Sequence, residues 1–201
     1  IFKTDTNGDE QWSQTFGEGY WDFGKSIQQA SDGGYVIAGY VNGGIGGGDA
    51  YLLKVDENGE EQWSKIFDFG IAESIQQTND GGYIITGYDS SDIYLLKTDE
   101  NGVQQWSQTF GGPGNDKAHC VQQTTDGGYI IIGEDEEDVY NPGNDFWTAN
   151  SDLYLIKTNE LGQEEWAQRF GEAGNDCGRS VQQTSDGGNI IAGYVTPGKN
   201  Q

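Results

Sequence analysis

Apolar residues along the chain come in short runs separated by clusters of Gly, Asn and Asp, and they do not recur at the three-and-four spacing of a helix. Four kinds of run follow one another in a fixed order. Run a reads SIQQT, run b YVIAGY or YIITGY, run c YLLKTD and run d EQWSQTF. All four are rich in β-branched and aromatic residues, the composition of strands. Asp-Gly-Gly joins a to b, and Asp-Glu-Asn-Gly joins c to d, where glycine supplies the positive φ that a tight hairpin needs. Run b is apolar without alternation, as expected of a strand buried on both faces. The pattern predicts an all-β chain without helices.

The runs belong to a four-fold repeat. Lys3, Lys54, Lys97 and Lys157 each stand nine residues before Trp12, Trp63, Trp106 and Trp166, and successive lysines are 51, 43 and 60 residues apart. After each tryptophan comes a second block: SIQQASDGGYVIAGY, SIQQTNDGGYIITGY, CVQQTTDGGYIIIGE and SVQQTSDGGNIIAGY. A recurring block of this size marks a repeat architecture. Four antiparallel strands per repeat predict the blades of a β-propeller, whose radial repetition leaves only short edges. The repeats span about 1–50, 51–93, 94–153 and 154–201, and residues 1–201 read as one domain. The chain starts in run c and stops after run b, so four blades closed by pairing N-terminal and C-terminal strands in one blade are expected. The alternative is a piece of a larger propeller, whose open strand edges would associate with a neighbour.

The stretch WSQTFGGPGNDKAHCVQQTTDGGYIIIGE, followed by SDLYLIKTNELGQEEW, resembles the β-propeller repeats of large bacterial and archaeal cell-surface proteins, including the seven-bladed propeller repeat group. The carriers are the Trp-to-Phe-Gly end of run d, the Asp-Gly-Gly hairpin, the Gly that closes run b and the Asp-x-Tyr-Leu-x-Lys-x-Asp lead into run d. The order of runs is also similar to a kelch blade, and the c-to-d hairpin is similar to the tryptophan-docking turn of quinoprotein propellers. The resemblance implies a propeller fold and a secreted or cell-surface location. It implies no activity, because propellers carry many unrelated functions.

Charge narrows the partners. Ten Lys plus Arg against 33 Asp plus Glu leave a net charge of -23, so no nucleic acid partner is expected. Hydrophobic residues are only 33%, but 33 glycines bring the apolar-plus-glycine share back to the globular range, and 12% aromatics with three prolines argue against disorder. No apolar run approaches the ~18 residues that cross a bilayer, so a soluble chain without membrane insertion is expected. The chain has no methionine and no basic-then-apolar leader, which suits a mature piece or an excised part of a longer protein.

A residue that recurs in every repeat is explained by the blade, whereas a residue present once needs another reason. The register tryptophans are read as docking between blades, and Asp32, Asp80, Asp126 and Asp186 as turn residues. The d-to-a and b-to-c connections share one face, and the marked length variation falls in the b-to-c set, so that face is the candidate binding face. Trp21 and Trp147 lie outside the repeat register on it. With Tyr20, Tyr140 and Phe146 they offer flat apolar surfaces for sugar rings, and Asp22, Asn144 and Asp145 offer hydrogen bonds to hydroxyls; the alternative is that the aromatics pin long loops to the disc. Glu134, Asp135, Glu136, Asp138 and Asp145 lie in the third b-to-c connection, 134–151, where calcium is the candidate ion. The spacing is not that of an EF-hand, and a solvated acidic loop is the plainer reading. Lys25, His119 and Arg179 share one aligned position, three residues after Asp22, Asp116 and Asp176, and either ring a channel mouth for an anion or pair with those aspartates. Cys120 and Cys177 allow one disulfide without requiring it.

Three functions remain open from sequence. The first is a non-enzymatic extracellular binding or adhesion module that takes a glycan or a surface protein. The second is a carbohydrate-active hydrolase or lyase that uses loop carboxylates such as Asp22 with Asp116, Asp145 or Asp176. The third is a structural spacer in a surface layer or filament, its acidity serving solubility. The oligomeric state is open as well.

Overall fold

The structure is a computed structural model that describes residues 1–17, 22–41, 48–67, 70–89, 91–141, 146–171 and 174–196, with the backbone alone for 138–141 and 146–149. Sixteen strands account for it: β1 (Phe2–Thr4), β2 (Glu10–Ser13), β3 (Asp22–Gln29), β4 (Tyr35–Val41), β5 (Asp49–Val55), β6 (Glu61–Phe67), β7 (Ile71–Gln77), β8 (Tyr83–Tyr88), β9 (Ile93–Thr98), β10 (Gln104–Phe110), β11 (Lys117–Gln123), β12 (Tyr129–Asn141), β13 (Phe146–Thr158), β14 (Glu164–Phe170), β15 (Asp176–Gln183) and β16 (Asn189–Val195). There is no helix among the described residues. The strands form three four-stranded antiparallel meanders, β3 to β6, β7 to β10 and β11 to β14, flanked by the two-stranded sheets β1–β2 and β15–β16. Runs a, b, c and d are the successive strands of each meander. The chain is therefore an all-β protein of repeated sheets that fits a propeller-like repeat fold.

Local chemistry explains the turns. In the c-to-d hairpin Asp99 accepts hydrogen bonds from the amides of Asn101 (2.9 Å) and Val103 (2.9 Å), and Gly102 takes a φ of 74°. In the a-to-b hairpin Asp80 accepts from the Gly82 amide (3.0 Å) and from the ammonium of Lys97 (3.1 Å), whose strand lies one place further out. Lys54 with Asp32 and Lys157 with Asp126 repeat this tie. The recurring lysine thus locks strand c to the a-to-b turn of its own blade.

The sheets pack face to face. Ile84, Ile93 and Leu95 of one meander meet Ala118, Val121, Tyr129, Ile131, Tyr154 and Ile156 of the next, all buried. Full burial of one such side chain is worth about 1.5–3 kcal/mol. The first strand of each sheet from β3 on, β3, β7, β11 and β15, stands beside the next in succession, and the strands are joined by side chains. Gln76 Oε1 accepts from the Gln123 amide (2.6 Å), Gln122 Oε1 from the Gln183 amide (3.3 Å), and Ser74 Oγ from the Val121 amide (3.3 Å). The Ser-x-Gln-Gln motif is therefore a strap between successive sheets that satisfies amides which no neighbouring strand reaches.

Three of the four register tryptophans dock as expected. Trp12 donates through Nε1 to the Glu57 carbonyl (3.1 Å), and Trp63 and Trp106 stand against Tyr83 and Tyr129 with ring centroids 5.9 and 5.8 Å apart. Gly59, Gly102 and Gly162 lie against the three indoles. Trp166 has no such turn beside it among the described residues and is 38% exposed. The expected single blade made of N-terminal and C-terminal strands is not formed: β1–β2 and β15–β16 are separate sheets. Each packs on the meander next to it in sequence, β2 through Trp12 and β15 against β11, β12 and β13. Lys3 bonds Gln11 rather than a turn aspartate, and Asp186 holds Thr184 and Gly188 without a lysine. Ile190 is correspondingly 62% exposed, where its counterparts Val36, Ile84 and Ile130 are fully buried.

Candidate functional site

The aligned position before the Ser-x-Gln-Gln motif is occupied on β3, β7, β11 and β15 by Lys25, Glu73, His119 and Arg179 in turn. Lys25 pairs with Glu73 at 3.0 Å and lies over the Tyr40 ring. Arg179 lies 3.2 Å from both ring nitrogens of His119 and over Tyr194. Burial first, and the Arg179 charge second, push the His119 pKa down. The three aligned cations therefore do not make a uniformly positive ring. Lys25 is met by the carboxylate of the next blade, and His119 is held towards its neutral form.

The third b-to-c connection, expected as a loop, is a β-hairpin arm. In the second meander pairing ends at Tyr88 with Ile93; at the equivalent Glu134 with Leu153 it continues through seven further pairs to Asn141 with Phe146. At about 3.3 Å per residue the arm projects roughly 23 Å beyond the sheet. Its register sets Tyr140 across from Trp147 and Asn141 across from Phe146. Tyr20, Trp21, Asn144 and Asp145 lie outside the described residues, and for Asp138, Tyr140, Phe146 and Trp147 the backbone alone is described.

Glu134, Asp135 and Glu136 do not all turn to one side, because a strand sends neighbouring side chains to opposite faces. Glu134 faces Lys117 (3.4 Å) and His119 (3.9 Å). Asp135, 3% exposed, turns to the Arg169 guanidinium, which in turn covers the Tyr154 ring. Glu136 accepts from Asn115 at 3.3 Å.

Asp116 occupies the root of the arm. Its carboxyl accepts from the amides of Gly112 (2.7 Å) and Glu136 (3.0 Å), and burial together with a hydrogen bond to Asp135 pushes its pKa up to about 7. Asp176 repeats the clamp by accepting from the Thr196 amide, and Asp22 sets its carboxylate against Gly17. Asp116 and Asp176 are 1% exposed and hold backbone, which removes them from reach of a glycosidic bond. The linkage sign follows from the raised value: the folded state keeps a proton that the unfolded chain releases near 3.8, so this group's contribution is full below about 3.8 and is lost as pH rises to about 7. Asp126, lowered to about 2 by Thr124 and Lys157, acts oppositely and loses its contribution in acid. Asp116→Asn is expected to flatten the fall in melting temperature between pH 4 and 7 by several degrees, measured by thermal unfolding across pH; an unchanged slope would place the titration elsewhere.

Cys120 and Cys177 are both free. Cys177 is fully buried, and burial followed by the nearby Glu134 charge pushes its pKa up to about 12. Sequence reasoning missed Glu73, Arg169 and Cys177 as partners in this region. Cys177 stands where the other repeats have Phe23, Ile71 and Lys117, a position without a shared residue, so the repeat gave no signal for it.

No protein-family model matches the chain, and no curated protein matches it either. Among solved structures, the chain is similar to a crystal structure of a protein of unknown function from Bacteroides caccae, with a TM-score of 0.48 and 14% identity, covering 83% of this chain and 73% of that one.

Proposed function

We propose that this chain is a non-enzymatic binding or adhesion module of a secreted or cell-surface protein, with its blades arranged propeller-fashion and the β12–β13 arm as its contact element for a glycan. One observation carries the reading. The meanders share the same b and c strands, yet among the described residues the third prolongs them into a paired hairpin seven residue pairs beyond its neighbour's end. The arm adds no strand to a sheet and is anchored at its root by Asp116, Asp135 and Arg169, which suits an element held out for contact. Its register sets the off-repeat residues Tyr140 and Trp147 across from each other, with Phe146 next along the strand, aromatic types suited to sugar faces. The recurring Lys54, Lys97 and Lys157 and their aspartates are engaged in turns, which supports a structural reading of those positions.

A glycan array probed with the parent protein and with a variant whose residues 136–151 are replaced by the short Asp89–Asp92 turn tests this. Binding by the parent, and a loss of at least about tenfold in the variant at unchanged melting temperature, is the expected result. Equal binding by both overturns the assignment of the arm, and binding by neither overturns glycan recognition.

A further inference from the structure

The geometry points to a transition-metal site of the zinc class formed by His119, Glu134 and Cys177. One ligand atom from each, an imidazole nitrogen, a carboxylate oxygen and the Cys177 sulfur, lies within 4.8 Å of the other two. The three come from different strands: His119 from β11, Glu134 from the root of the arm on β12, and Cys177 from β15 of the next sheet.

Two independent observations meet here. The first is placement. His119 and Glu134 side chains are only 10% and 13% exposed, and Cys177 is fully buried, so the cluster is walled rather than a chance grouping on the surface. The second is the repeat itself. Glu134 stands where the other blades carry Tyr40, Tyr88 and Tyr194, Cys177 where they carry Phe23, Ile71 and Lys117, and His119 where they carry Lys25, Glu73 and Arg179. Glu134 thus replaces a tyrosine shared by the other repeats, while the His119 and Cys177 positions are free to vary from repeat to repeat, and the three side chains meet.

The donor set selects the ion. A thiolate and an imidazole disfavour calcium and magnesium, which take oxygen, and suit zinc, whose bonds to nitrogen, oxygen and sulfur are about 2.0–2.3 Å. Ligand atoms around such an ion stand about 3.5 Å apart, so the cluster closes by roughly an ångström. On binding, the Cys177 S–H bond breaks, the sulfur keeps the electron pair for the metal and the proton leaves to solvent. One thiolate and one carboxylate then balance the two positive charges. Two cations face the cluster. Lys117 pairs with Glu134, and Arg179 leans on His119; Arg179 is solvent-exposed and able to turn outward, while the bound ion takes over the pairing of Glu134. A fourth position is left for water.

Titration of the 201-residue protein with Co2+, followed by Zn2+ displacement, tests the assignment. The expected result is a thiolate-to-cobalt charge-transfer band saturating at one equivalent, bleached by Zn2+ and unchanged in Cys120→Ser. Cys177→Ser abolishes the band, and His119→Gln, which keeps the sulfur, weakens binding at least about tenfold. No saturable band in the parent, a band that survives Cys177→Ser, or equal affinity in His119→Gln overturns the site. None of these readouts involves glycan binding, so the two proposals fail separately.

Discussion

Leu95→Ala is expected to cost about 3–4 kcal/mol and to lower the melting temperature by roughly 10 °C. Leu95 is fully buried on β9, an inner strand of its meander, and belongs to the apolar layer in which the second and third meanders meet. The cost combines lost burial with a cavity that two rigid sheets cannot close. Leu161→Ala is the control: Leu161 is 56% exposed in the β13–β14 turn, and truncation there is expected to change stability by less than about 0.5 kcal/mol. Thermal unfolding of both variants checks the contrast. Equal shifts would mean that the second and third meanders are not held together by this layer.

Gly87→Ala is expected to destabilise by about 3 kcal/mol although it adds a single methyl group. A Cβ at Gly87 would run into the carbonyl oxygen of Ile71, which is backbone and has no rotamer to change. The reason is local. The β7–β8 register shifts between Ala72 and Ser74, and the bulge brings the two chains together at the glycine. Gly39, Gly133 and Gly193 meet the carbonyls of Phe23, Lys117 and Cys177 in the same way. Gly112→Ala is the comparison, since nothing lies within 4 Å of its Cβ position. A melting temperature for Gly87→Ala close to that of Gly112→Ala would show that the bulge relaxes at little cost.

These two residues also show what could be read without coordinates. The strand order, the hairpins and the burial of run b followed from short-range rules, because turn glycines and continuous apolar runs act within a few residues. Run b's closing glycine was visible as a recurring letter, but its cause, a bulge on the partner strand, is a cross-strand distance. The Gln-Gln pair was visible in the same way, and its cause lies one blade away. Closure of the N-terminal and C-terminal strands into one blade was argued from the count of runs, and the count does not say which sheet a half-blade packs on. The arm's carboxylates and its Asn-Pro-Gly-Asn segment have the composition of a loop, while pairing between 135–141 and 146–152 depends on register. Cys177 escaped because its partners are 58 and 43 residues away in sequence, at His119 and Glu134.

The site and the scaffold divide along the same line. In the three full meanders the recurring residues are engaged in straps, turn locks and indole docking, while the hairpin extension and the Glu134 substitution fall at the arm and its root. The account therefore rests on the arm being dispensable for folding and required for contact. The most direct measurement is the affinity of the arm-trimmed protein for the glycan that the parent selects, taken beside its melting temperature. A melting temperature within a few degrees of the parent's with binding reduced at least about tenfold is the result expected. Undiminished binding by a folded, arm-trimmed protein would contradict it.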